Sequence, residues 1–352
     1  MKRIMLAGIL TLLSFGSVAA DPSPRDAPPP GLKPLLEEAL AHATNAKGLT
    51  AIVMRDGKQL YRLDVGDIAR DQQFPIASAS KWLTGALVMT TVDEGKLSLD
   101  APISTVLPEF KGVAATITLR ELLSQTAGMG SLKAGFDLKQ SATITLAQSA
   151  AQIAERPLDD PPGTIFNYGG PHFQVAGAMV EAVSGKRWAD LFNERIAGPL
   201  GMTHTYWLHL PNQTETATQT LNPLLQGGVV TTADDYMRFL TMLAHNGVYN
   251  GKRILSAYAV DEMETNQTLG LPMGYVPPGA SGRGAQYALA NWCDAWDASK
   301  RCTRVSSPGA FGTTPWIDRD SGLYGIFFIK SRDPDVAAPF LKAEAMIIAA
   351  NR

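Results

Sequence analysis

Phe74-Pro75-Ile76-Ala77-Ser78-Ala79-Ser80-Lys81-Trp82-Leu83 passes from a proline-broken loop into an apolar stretch. Read as a loop entering a helix, it puts Ser78 and Lys81 at i and i+3, on one face. A serine hydroxyl is a useful nucleophile only when a neighbour takes its proton, and a desolvated lysine amine can be that neighbour. A helix start adds unpaired backbone N–H groups and the positive end of the macrodipole, both of which favour negative charge developing nearby. This is the only Ser-x-x-Lys in the 352 residues. Alone, the tetrapeptide also fits a serine that caps a helix and a lysine that reaches solvent, so the surrounding chain has to decide.

Upstream, residues 35–46 have helical spacing, and 50–54 and 59–65 are strand-like runs on either side of Arg55-Asp56-Gly57-Lys58, an Asp-Gly hairpin signal. Downstream, the periodicity from Ser80 to Leu221 is mainly helical, broken near Gly95, Pro102, Pro108, Gly128-Met129-Gly130 and Pro161-Pro162-Gly163. After Gly227-Gly228 a helix over 232–245 and a turn at Asn250-Gly251 lead to strand-like runs at 286–292, 314–317 and 323–329, then a helix over 336–349. The pattern predicts an α+β fold, a mixed α/β sandwich whose antiparallel sheet is built from both chain ends and flanked by helices. Residues 35–85 and 225–352 are expected to form the mixed domain, with a mainly helical domain over 86–224 inserted in it. The site is expected between the two.

The chain is 45% hydrophobic and 18% charged with a net charge of -2, which excludes disorder and coiled coil. Near-neutral charge without a Lys/Arg block argues against nucleic acid as a partner. Lys2 and Arg3, an apolar run from Ile4 to Phe15 and small residues at Val18, Ala19 and Ala20 read as a signal peptide over 1–20, cleaved after Ala20. The run is short of the roughly 20 residues that span a bilayer, so a periplasmic or secreted protein with no stable membrane span is expected. Residues 21–34, rich in proline, read as an extended leader. In that compartment Cys293 and Cys302, the only cysteines, are expected to pair. The five histidines are scattered, so neither a metal nor another cofactor is expected.

Two further segments carry candidate chemistry. Pro162-Gly163-Thr164-Ile165-Phe166-Asn167-Tyr168-Gly169-Gly170 is a loop with a tyrosine near its end, followed by a helix over 173–183. A phenol whose pKa is lowered by a nearby cation can share the nucleophile's proton; a tyrosine packed beneath its loop is the other reading. Ser306-Ser307-Pro308-Gly309-Ala310-Phe311-Gly312 leads small residues into a strand, which permits a backbone N–H, at Ala310 but not at Pro308, to approach a substrate carbonyl. A tight turn before the strand is the alternative.

These segments, in this order, resemble the serine β-lactamase and penicillin-binding-protein superfamily, particularly the class C β-lactamase-like hydrolases and their esterase relatives. The likeness extends to Asp93-Glu94-Gly95-Lys96-Leu97-Ser98-Leu99-Asp100, Leu122-Leu123-Ser124-Gln125-Thr126-Ala127-Gly128-Met129, Pro199-Leu200-Gly201-Met202 and Gly227-Gly228-Val229-Val230-Thr231-Thr232-Ala233-Asp234-Asp235. The resemblance implies Ser78 as acylated nucleophile, Lys81 and Tyr168 as the proton-transfer pair, and the N–H groups of Ser78 and Ala310 as an oxyanion hole. It also points to Ser307, Gly309, Gly170, Gln125 and Phe311 as substrate-binding positions.

Two departures bear on substrate. The second motif, Y-x-N in the β-lactamases, has Gly170 at the Asn position, and the third, commonly K-T-G or H-x-G, reads Ser307-Pro308-Gly309. The cation that a carboxylate-bearing lactam or peptide terminus wants is absent from its usual place, with Arg304 and Lys330 the candidates to replace it. Trp82, Trp292, Trp296, Trp316 and Phe311 are candidates for an apolar acyl wall. The expectation is an exported, cofactor-free serine hydrolase, foremost a carboxylesterase. A weak β-lactamase, a D-amino-acid peptidase on cell-wall fragments and a non-hydrolytic fragment binder are the alternatives, so the partner is a small ester, lactam or peptide. Oligomeric state is not legible in the sequence.

Overall fold

Asp56 and Gly57 both take positive φ, 51° and 75°, the left-handed pair that a two-residue hairpin turn requires. They join β1 (Gly48–Arg55) to β2 (Lys58–Gly66). The structure, a computed structural model, describes residues 27–130, 143–209, 220–280 and 282–351. The expected signal peptide lies outside the described residues.

The hairpin is one end of a seven-stranded antiparallel sheet. From the C-terminal part come β6 (Gln286–Tyr287), β7 (Trp292–Trp296), β8 (Cys302–Ser306), β9 (Thr314–Asp318) and β10 (Leu323–Phe328), in the order β2-β1-β10-β9-β8-β7-β6. β1 pairs along its length with β10, Thr50 facing Phe328 and Arg55 facing Leu323, so both parts of the chain meet in the middle of the sheet. Its apolar side chains divide by period-two alternation: Ile52 enters one core, Ala51 and Val53 the other.

One core lies between the sheet and α1 (Leu32–His42), packed against α7 (Asp333–Ala350), and includes Leu36, Trp316, Phe327 and Phe340. α1 buries Leu32, Leu36 and Ala39, a helical stripe. It starts before Pro34 and ends at His42, so the expected leader is too long and the expected helix over 35–46 runs too far. Pro34 falls in the first turn, where its missing N–H has no bond to lose.

The other core holds α2 (Ser80–Asp93), buried on every side from Ser80 to Thr91, together with α3 (Leu119–Leu123), α4 (Leu146–Ala154), α5 (Pro171–Ser184) and α6 (Ala233–Ala244). Ile52 and Ile326 of the sheet, Trp82 of α2 and Leu122, Phe173 and Trp188 of the middle helices belong to this one cluster. The middle block is not wholly helical. Tyr206–Trp207 (β4) pairs with Val229–Thr231 (β5), which also pairs with Phe74–Pro75 (β3).

A strand over 286–292 was expected; instead β6 and β7 are separate, joined by a turn with Ala290 at φ 67°. β8 was not expected at all. Cys293 on β7 and Cys302 on β8 are joined by a disulfide, their Cα atoms 5.4 Å apart. Among the described residues no helix is long and apolar enough to cross a membrane.

Candidate active site

Ser78 sits in a single 3-10 turn, Ala77–Ala79, that runs directly into α2. The turn is tied down from several sides. Ile76 N–H donates to the Val229 carbonyl at 3.0 Å, the Tyr236 hydroxyl donates to the Ala79 carbonyl at 2.8 Å, and Val229 N–H donates to Ser80 Oγ at 3.0 Å. Ser80 is thus a tether to β5, and neither serine caps α2. Ala77 takes φ +46°, a left-handed conformation that costs a non-glycine residue about 1 kcal/mol or more.

Lys81 is 1% exposed. Its Nζ lies 3.0 Å from Ser78 Oγ and 2.9 Å from the Gln226 carbonyl oxygen, and stands 4.5 Å over the Tyr168 ring. One turn of α2 therefore aims a buried amine at the hydroxyl, as the i, i+3 spacing implied.

Tyr168 is buried in an aromatic cluster, stacked on Trp292 with centroids 5.3 Å apart. Its backbone N–H donates to the Tyr275 carbonyl at 2.9 Å. Gln125 holds the flanking residues: its carbonyl accepts Asn167 N–H at 3.1 Å, and its side-chain oxygen accepts Gly169 N–H at 2.7 Å. The expected lowering of the phenol's pKa is not what this environment produces. Burial pushes it well above the ordinary tyrosine value, and the interaction with the Ser78 hydroxyl opposes this only in part. A phenolate in this apolar cluster loses more hydration than its neighbours return. The phenol keeps its proton.

The chain after β8 crosses the Ser78 turn. Ser307 Oγ donates to the Ser78 carbonyl oxygen at 3.3 Å. Gly309 is pressed so close that a Cβ there would lie 2.0 Å from the Ile76 carbonyl oxygen. Pro308 and Ala310, which alternate with these two, turn the other way. Those two line a cavity of about 210 Å³ together with Ser78, Tyr168, Tyr275, Trp292 and Asp333.

The alternation corrects the expected substrate-binding set. Ser307 and Gly309 support the Ser78 turn and do not line this cavity, nor does Phe311. Gln125 is fully buried behind the tyrosine loop, and Gly170 is the residue that opens α5. Of the five aromatic candidates only Trp292 reaches the cavity wall; Trp82 and Trp316 are core. Neither Arg304, 3.7 Å from Glu344, nor Lys330 lines it. A larger cavity of about 590 Å³, lined by Arg70, Asp234, Arg238 and His245 among others, contains none of the expected site residues. Chemistry, not size, marks the smaller one.

A family model described as Beta-lactamase matches residues 35–350. This chain belongs to that family. A putative β-lactamase from Bacteroides dorei DSM 17855 superposes with a TM-score of 0.81 at 29% identity, over 91% of this chain and 98% of that one. Protein Rv1367c of Mycobacterium tuberculosis is 28% identical over 79% of each chain. Esterase EstB of Burkholderia gladioli is 31% identical over 44% of this chain and 45% of its own. Membership in the β-lactamase family with such relatives supports a serine hydrolase.

Within this β-lactamase-family site, sequence reading missed three contributors. Gln226 anchors Lys81 through a main-chain oxygen, which no side-chain pattern announces. Residues 275–280 form one wall of the cavity, from a loop with no recognisable motif. Asp333 lies in Arg332-Asp333-Pro334-Asp335, which reads only as the opening of a helix.

Proposed function

We propose that this protein is an exported carboxylesterase that works through an acyl-enzyme on Ser78. The single observation that carries the reading is the buried Lys81 amine, 3.0 Å from Ser78 Oγ beside a small cavity of mainly apolar lining. In its neutral form Lys81 accepts the Ser78 proton as Oγ attacks the ester carbonyl. The backbone N–H groups of Ser78 and Ala310 receive the oxyanion. Tyr168, protonated by virtue of its burial, supplies a proton to the departing alkoxide through the Lys81–Tyr168 pair. Water then enters, loses its proton to the same pair, and releases the acid and free Ser78.

The volume, about 210 Å³, is below the roughly 300–1,000 Å³ of drug-sized sites, which favours small acyl groups. The lactamase and peptidase readings are less well supported, because among the described residues no lysine or arginine lines the cavity to receive a substrate carboxylate. A pure binding role leaves unexplained a desolvated amine aimed at a hydroxyl. Export is proposed from the N-terminal segment alone.

Hydrolysis of p-nitrophenyl butyrate, with intact mass recorded during turnover, tests the reading. A transient butyryl adduct in the parent, and a fall in kcat of about 10³-fold or more in Ser78→Ala, are expected. A folded parent that neither hydrolyses the ester nor carries the adduct overturns it.

A further inference from the structure

Among the described residues Asp333 is the one acidic residue in the cavity wall, and it is 8% exposed. No hydrogen bond or ion pair to its carboxylate is present among the described residues. Its backbone N–H donates to the Ala310 carbonyl at 3.0 Å, which fixes it next to the residue that contributes the second oxyanion donor. Arg283, whose charge reaches Asp333, is already committed: it bonds Asp294 at 3.1 Å and Glu344 at 2.9 Å, with all three side chains buried. Opposite Asp333 the backbone comes so close that a Cβ at Gly279 would overlap the carboxylate oxygen Oδ2. Only glycine admits the carboxylate there.

A role confined to the helix does not account for this. Asp333 opens α7, where an acid complements the macrodipole, but Asp335 in the same turn meets that need from the surface and is bonded by Thr44. A dipole partner has no reason to lose its hydration. The aromatic walls supplied by Trp292, Tyr168 and Tyr275 suit the same kind of ligand as the carboxylate, since ring faces attract cations.

We propose that Asp333 is the recognition site for a protonated amine on the substrate, so that the preferred substrates are small esters with an ammonium group next to the scissile carbonyl. The proposal rests on the acyl-enzyme reading above and names its substrate class. It inverts the charge preference of a site built for substrate carboxylates: the expected third-motif cation is missing, and a buried anion stands in the wall instead. An unpaired buried charge is expensive, and a substrate ammonium would satisfy it on binding.

The test compares alanine methyl ester, in both enantiomers, with methyl 2-methylpropanoate, which replaces the ammonium by a methyl group of similar size, followed by NMR at about pH 7. The parent is expected to favour one alanine ester over the neutral ester by tenfold or more in kcat/KM. In the isosteric Asp333→Asn that ratio is expected to fall at least tenfold. Isopropylammonium is expected to inhibit parent hydrolysis of p-nitrophenyl butyrate competitively, and to do so at least tenfold more weakly in Asp333→Asn. Equal or better turnover of the neutral ester by the parent, or a ratio unchanged in Asp333→Asn, overturns the proposal and leaves the esterase intact. A folded parent that hydrolyses none of these esters overturns both.

Discussion

The side-chain oxygen of Gln125 accepts the backbone N–H of Gly169 at 2.7 Å, so a residue that never reaches the cavity fixes the loop that carries Tyr168. Gln125→Leu removes that acceptor and leaves a buried N–H without a partner, at about 1–3 kcal/mol. The tyrosine is expected to lose its register above Lys81. Steady-state kinetics with p-nitrophenyl butyrate should show kcat down about tenfold or more with KM changed much less. An effect on KM alone would mean that Gln125 acts on binding.

Ala77 stores strain beside the nucleophile. At φ +46°, Ala77→Gly relieves the left-handed penalty while loosening the unfolded chain, two effects of about 1 kcal/mol that nearly cancel. Ala77→Val adds a β-branch where it is least tolerated and is expected to cost about 2 kcal/mol or more. Denaturant unfolding of the two variants side by side checks the contrast.

Arg283 sits between two buried carboxylates. Arg283→Met strands Asp294 and Glu344, and breaking such a cluster costs about 3–5 kcal/mol. Burial already holds Asp294 up at about 6 despite the guanidinium, so without Arg283 its carboxyl protonates more readily still. The deficit relative to the parent should therefore shrink as the pH is lowered toward 6 and level off below it. A deficit independent of pH would point to lost packing.

Asp333 makes a stability prediction separate from any substrate. Its carboxyl is raised by burial to about 6, with Arg283 pulling the other way; Tyr168, another titratable group facing it, stays neutral. Tyr275 shares that wall as well. A raised acid favours the folded state below its unfolded pKa and loses that contribution as pH rises through the folded value. Asp333→Asn is thus expected to be more stable than the parent at pH 7, by up to about 3 kcal/mol. The advantage should vanish by about pH 4 in thermal melts across that range.

What the sequence made legible was local. Ser78 and Lys81 are three residues apart on one helix, so their meeting follows from helical geometry alone. The Asp56-Gly57 turn likewise needs only its own residues. A sheet built from both chain ends was legible in the pattern, though not its strand order, and the position of Tyr168 came through the family resemblance, whereas the protonation of Tyr168 depends on Trp292 and Tyr287 closing over it from elsewhere in the chain. β7 and β8 escaped the strand pattern because Asp294 is buried in an ion-pair network instead of pointing to solvent, and Arg304 is only half-buried beside it. In the third motif the sequence reading puts Ala310 at the site, whereas Pro308 lines the cavity where Ser307 and Gly309 were expected.

Ser307 reaches the Ser78 turn across 229 positions, and β1 waits for β10 before the middle of the sheet can close. During synthesis, then, the serine and its lysine exist long before the donor at Ala310 and the wall at Asp333 have left the ribosome. A nascent chain carries Ser78 and Lys81 before it has the walls that enclose them, so the cavity is completed only with the last tenth of the sequence.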